Sequence, residues 1–136
     1  MLFTQKSEVD IHEMSPLALA FVGDAVLELL VRARLVGTTR LQPNRLHTVA
    51  THYVSAHAQN LELDIIEPML TDAEAAVLRR GKNVSKATVA KHATVQEYRA
   101  STGFECLLGW LYLTGQMARV EELFDALWQQ FDPNQK

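Results

Sequence analysis

The chain has 136 residues, 48% apolar and 21% charged, the balance of an ordinary globular protein with room for one buried core. Its net charge of −3 argues weakly against a nucleic-acid partner. No apolar stretch is long enough and free enough of charge to span a bilayer, and the N-terminus lacks the apolar core of a signal peptide, so no membrane partner is expected.

In chain order the sequence reads as helix throughout. Ser15-Pro16 opens the first helix, with Ser as N-cap and Pro at the first helical position, and the helix runs to about Leu35, before Gly37. Leu41-Gln42-Pro43 begins a second, carrying Leu46, Val49 and Ala50. Ser55 caps a third that turns Ala58, Leu61, Ile65 and Ile66 inward and ends at Pro68. Thr71 to Glu74 has the spacing of a capping box, so a fourth helix covers Asp72 to Arg80 and stops at Gly81. Residues 82–93 show no period and read as a loop. Thr94 caps a fifth helix that reaches Leu113, ended by Gly115, and a sixth spans Arg119 to Phe131. No stretch alternates well enough for a sheet, and no repeat appears.

Two carboxylates stand in apolar runs: Asp24 within residues 20–27, and Glu105 within residues 103–111. Both are expected on helices with little surface to offer, where an isolated charge costs several kcal/mol unless paired or given a metal. Leu17, Phe21, Asp24 and Glu28 form one stripe of the first helix, and Tyr98, Thr102, Glu105 and Gly109 a stripe of the fifth. Gly23 and Gly109 sit mid-helix, where Gly costs about 1 kcal/mol against Ala, which points to a close helix crossing or close approach of a ligand. If the stripes face each other, the acids converge on an oxygen site suited to Mg²⁺. The alternative is simple pairing with Arg32, Arg34 or Arg99. For Glu28 it is an ion pair with Arg32 one turn on.

Other groups point nowhere specific. His47, His52 and His57 recur every five residues, which splays them around a helix and disfavours a zinc site. Cys106 reads as a small buried hydrophobe. The serines lack a Ser-His-Asp setting, and Lys82-Asn83 is not set in a Gly-rich phosphate loop. One charge feature is local. Between Glu74 and Glu97 there is no acid, and the interval holds Arg79, Arg80, Lys82, Lys86, Lys91 and His92. It reads either as a polyanion contact or as a solvated loop.

The run Phe21-Val22-Gly23-Asp24-Ala25-Val26-Leu27 resembles the signature E-x-x-E-F-L-G-D-x-x-L of the ribonuclease III family. The run from Phe104-Glu105 through Gly109 to Tyr112 resembles its second acidic segment, D-x-x-E-A-x-x-G-x-x-Y. Two further acids of the signature fall at Leu17 and Ala20, and the first acid of the second segment at Thr102. With Arg79-Arg80-Gly81-Lys82-Asn83 and Ser101-Thr102-Gly103-Phe104-Glu105, the pattern is similar to the Mini-III ribonucleases over essentially the whole chain.

The resemblance implies an all-α bundle like a ribonuclease III catalytic domain, one domain over residues 1–136, with no separate double-stranded-RNA-binding domain. It implies a Mg²⁺-dependent endoribonuclease that cuts double-stranded RNA as a homodimer, leaving 5′-phosphates, with precursor 23S ribosomal RNA as substrate. A ribosomal protein is a further partner to consider. Asp24 and Glu105 carry over as catalytic metal ligands, with Glu28 and Thr102 as outer candidates. Arg79, Arg80, Lys82, Asn83, Lys86 and Lys91 are the RNA-binding candidates. A bacterial cytoplasm fits this reading, with a plastid as the alternative. The rival reading is a non-catalytic RNA- or ribosome-binding scaffold. Dimerisation is expected to use apolar helix surface, including Leu107 to Leu113 with Trp110.

Overall fold

In the computed structural model, which describes residues 7–84 and 93–135, one helix is buried along most of its length and the others are arranged around it. Six α-helices follow in order: α1 (Pro16–Thr38), α2 (Pro43–Val54), α3 (Ala56–Ile66), α4 (Asp72–Val84), α5 (Val95–Leu113) and α6 (Met117–Gln130). Short 3-10 turns at Ile11–Glu13 and Glu67–Met69 complete the secondary structure, and no strand occurs among the described residues. The expected all-helical class is the one observed. The predicted RNA contacts Lys86 and Lys91 lie outside the described residues.

The caps form as the sequence indicates. The Ser15 hydroxyl accepts from the Ala18 N–H, and that of Ser55 from the Ala58 N–H. Thr94 and Glu97 close a reciprocal capping box at the start of α5, and Thr71 and Glu74 do the same for α4. Glu74 has a second partner. Arg119 of α6 grips its carboxylate with two N–H groups, each at 2.9 Å, and holds it well below the usual carboxylate range. A third contact of Arg119, to the Met69 carbonyl at 2.7 Å, ties α6 to the turn before α4.

The core helix α5 buries Ala100 to Phe104, Cys106 to Gly109 and Leu111. Against it α1 lays Leu19, Ala20, Gly23, Val26, Leu27 and Val31, a stripe at helical spacing. Within the run from Leu107 to Leu113, Leu107, Leu108 and Leu111 are core, because they are fully enclosed, while Tyr112 and Leu113 are partly open. Trp110 is half-buried. The exposed apolar surface lies on α1 instead: Phe21 is 84% exposed, with Leu17, Leu29 and Val36 along the same helix also open.

Three expectations need correcting. Helix α4 does not stop at Gly81 but runs to Val84, so Lys82 and Asn83 are helical. Gly81 is there for packing: a Cβ on it would lie 2.8 Å from the Gly103 Cα, so glycine lets α4 and α5 touch. The inward face of α3 is also rotated. Leu61 and Ile65 are only half-buried, and the enclosed residues are Ala58, Gln59, Glu62, Leu63 and Ile66. Asp24 is exposed, because the described helices leave the face of α1 that carries Phe21, Asp24 and Ala25 uncovered.

Candidate active site

The site is made by a crossing of two helix backbones. A Cβ on Gly23 would lie 1.6 Å from the carbonyl oxygen of Glu105, and one on Gly109 would lie 1.9 Å from that of Leu19. Any larger residue at either position would push α1 and α5 apart. The glycines that looked costly mid-helix are explained by this contact. Of the two sequence expectations for them, helix crossing is the one the structure supports. Because Gly23 touches the backbone of Glu105, its neighbour Asp24 is delivered beside the Glu105 side chain.

The electrostatics of this cluster are unbalanced. Burial pushes the Glu105 carboxyl up to about 7, and the adjoining Asp24 and Glu28 carboxylates add to the rise. A hydrogen bond from the Gln59 amide opposes it, at 3.0 Å to Glu105 Oε2. Glu28 is salt-bridged to Arg32 at 3.0 Å, as its i+4 spacing allows, and that pair is largely solvent-exposed. Arg34, another suggested partner, is turned away to Asp125 at 2.6 Å. Three carboxylates thus share a small region with one guanidinium among them.

This arrangement suits a hydrated hard cation. Among the described residues no three His, Cys, Asp or Glu side chains form a ready cage. Mg²⁺ needs none, since it is usually held by one or two carboxylates and keeps several waters. Asp24 and Glu105 are the two carboxylates that could hold such an ion, and its charge would offset both the burial and the neighbouring carboxylates that raise Glu105.

The remaining predicted site residues lie apart. Thr102 is buried, and its hydroxyl donates to the Tyr98 carbonyl at 3.0 Å, one turn before Glu105. Arg79 and Arg80 are exposed on α4. Lys82 is ion-paired to Glu67 at 3.6 Å and, with Asn83, borders a cleft of about 380 Å³ that also takes in Asn60, Gln96 and Arg99. His57 pairs with Glu97 at 2.5 Å on the surface, and His47 and His52 are exposed, so the histidines form no joint site. The Cys106 thiol is buried and pushed up to about 11, as befits a packing residue.

Sequence reasoning missed two polar residues, Gln59 and Glu62, only 1% and 0% exposed on α3. Gln59 meets Glu105. Glu62 has both carboxylate oxygens buried without a hydrogen-bond partner. Their spacing with Ala58, Leu63 and Ile66 could have placed them on the inward face, had that face been assigned correctly.

Comparison with known proteins agrees with this geometry. A family model described as the Ribonuclease III domain matches residues 17–116. A Mini-ribonuclease 3 from Enterococcus faecalis is 46% identical over 118 residues, covering 85% of this chain and 89% of the relative. Another from Streptococcus pneumoniae is 42% identical over 117 residues, covering 85% and 91%. A crystal structure of a Fusobacterium nucleatum protein superposes with a TM-score of 0.78 at 27% identity, covering 88% of this chain and 96% of that one. The chain therefore belongs to the ribonuclease III domain family, in the branch of the Mini-ribonuclease 3 proteins, and is an endoribonuclease of a metal-dependent family that acts on double-stranded RNA.

Proposed function

We propose that this endoribonuclease cuts double-stranded RNA with Mg²⁺ at the Asp24–Glu105 pair, as a single-domain catalytic unit acting in a homodimer. The observation that carries the assignment is the Gly23–Gly109 crossing, which sets a signature carboxylate from each helix side by side. Asp24 and Glu105 are the residues that would hold the ion. Bound there, Mg²⁺ supplies a Lewis acid for phosphate oxygens and an acidified water. Asp24, being exposed, faces the incoming strand, while half-buried Glu105 anchors the inner side of the site. Glu28, held by Arg32, acts from outside through its charge. Thr102 acts indirectly, by steadying the helix turn that precedes Glu105.

RNA contact is assigned to Arg79, Arg80, Lys82 and Asn83, together with Lys86 and Lys91. A-form RNA displays phosphates and 2′-hydroxyls across a shallow minor groove, so recognition by cations and amides reads shape. The polar cleft beside Lys82 and Asn83 supports this reading. The dimer is assigned to the open face of α1. There Phe21, Val22, Ala25 and Leu29 border a largely apolar groove of about 410 Å³ with Tyr112, whose hydroxyl is buried without a partner, and Asp24 borders the same groove. A second copy would cover the apolar side chains of this face and leave Asp24 open to RNA, and two-fold symmetry would place two sites across one duplex. Precursor 23S ribosomal RNA as substrate and a ribosomal protein as helper are the finer parts of the proposal, and a bacterial cytoplasm fits the bacterial sources of the relatives.

The test is cleavage of long duplex RNA by purified Asp24→Asn and Glu105→Gln. Each should lose activity by orders of magnitude while its circular dichroism and melting stay native-like. Turnover near wild type in either folded variant would overturn the site. Ca²⁺, which prefers longer and looser coordination, should support RNA binding with little cutting.

A further inference from the structure

Gln59 is among the most enclosed polar residues of the protein, at 1% exposure. Its amide nitrogen donates to the Val54 carbonyl at 2.9 Å and to Glu105 Oε2 at 3.0 Å, so both N–H groups are used. The Val54 oxygen can only accept, which settles which way the amide faces: flipped, it would set oxygen against oxygen. The amide is thus pinned at the end of α2 and reaches across to α5. Its own oxygen, Oε1, is buried with no hydrogen-bond partner. An unsatisfied buried acceptor is costly, and what offsets it here is the pair of bonds made by the nitrogen. Where a chain buries a polar side chain with one of its atoms left unpaired, a functional site is a common reason. What this residue gains is a fixed donor on one oxygen of Glu105.

We propose that Gln59 is a positioning residue for the reaction: its amide, anchored on the Val54 carbonyl, holds the Glu105 carboxylate in the orientation that takes a divalent cation together with Asp24. This rests on the assignment of Asp24 and Glu105 made above. With Glu105 Oε2 engaged by Gln59, Oε1 is the oxygen left for the cation. Without the amide, the carboxylate is free to turn, and the ordering has to be supplied when the ion binds.

The experiment measures Mn²⁺ binding to the full chain by electron paramagnetic resonance, with no RNA and no turnover. Gln59→Leu keeps the volume and removes both donors, and Gln59→Met is the alternative if leucine does not fold. Either should weaken Mn²⁺ by roughly ten- to a hundredfold, the usual effect of losing a hydrogen bond to a metal ligand. In cleavage assays the Mg²⁺ needed for half-maximal rate should rise in step, with the RNA KM at saturating Mg²⁺ unchanged. Leu63→Ala, which opens a cavity on the buried face of the same helix, should leave Mn²⁺ affinity unaltered, which separates positioning from general loosening of α3. In wild-type protein the Gln59 side-chain amide resonances should shift on adding Mg²⁺, a readout that needs no variant. Wild-type Mn²⁺ affinity in a folded Gln59 variant, or amide resonances that ignore Mg²⁺, overturns the proposal. Asp24→Asn distinguishes the deeper failure: if it too binds Mn²⁺ like wild type, the metal assignment itself falls.

Discussion

Replacing Glu62 with Gln should change how stability depends on pH, by an amount the structure allows to be worked out. Burial pushes the Glu62 carboxyl up to about 9 from 4.5, and neither oxygen has a hydrogen-bond partner. The folded state therefore holds this proton where the unfolded chain releases it. Stability is fully present below pH 4.5, falls as pH rises towards 9, and levels off above that. The slope is about 1.4 kcal/mol per pH unit, so at pH 7 the carboxyl costs the fold roughly 3 kcal/mol relative to acid conditions. Gln does not titrate, and Tyr53, whose hydroxyl the Glu62 charge helps to raise, ionises above this range. The stability difference, variant minus wild type, should widen by about 4 kcal/mol between pH 5 and pH 8. Urea unfolding across that range measures it, at one fixed protein concentration because a dimer would couple stability to concentration. Curves for the two proteins that stay parallel to within about 1 kcal/mol would refute the reasoning, since they would mean Glu62 is solvated or paired in solution.

Further outcomes follow from the helix crossing, the open face and the basic segment. Gly23→Ala should lose both stability and cleavage, because its Cβ would fall 1.6 Å from the Glu105 carbonyl oxygen; thermal melting and RNA cleavage matching wild type would contradict that contact. Phe21→Asp, on a side chain 84% exposed, should leave the protomer folded yet convert a sedimenting dimer to monomer, and an unchanged dimer would move the interface off α1. Neutralising Arg79, Arg80 and Lys82 together should weaken duplex RNA binding and flatten its salt dependence through fewer released counterions, with single-turnover cleavage at saturating RNA much less affected. An unaltered salt slope would place RNA binding elsewhere.

Much of this protein was legible along the chain. Ser15, Ser55, Thr71 and Thr94 announce their helices because capping is a local exchange between a side chain and the next N–H groups. The spacing of Asp24 and Glu105 within apolar runs, next to mid-helix glycines, was enough to suggest that two helices meet there. Composition and local pattern could not go further. Whether Gly81 stops a helix or lets one pass close to α5 depends on what lies opposite, and Gly103 is 22 positions away. The exposure of Asp24 depended on which side of α1 was left uncovered, and apolar neighbours such as Phe21 and Ala25 read the same whether they face a core or a partner. Gln59 and Glu62 were hidden for a related reason. A small rotation of α3 about its axis exchanges them with Leu61 and Ile65, and that rotation is set by packing against α5. The sequence by itself determined the all-helical class, the capped helix starts and the two carboxylates that stand in apolar runs. Tertiary structure alone decided which backbones touch, which face stays open and which buried amide meets Glu105, because those depend on contacts between residues far apart in the chain.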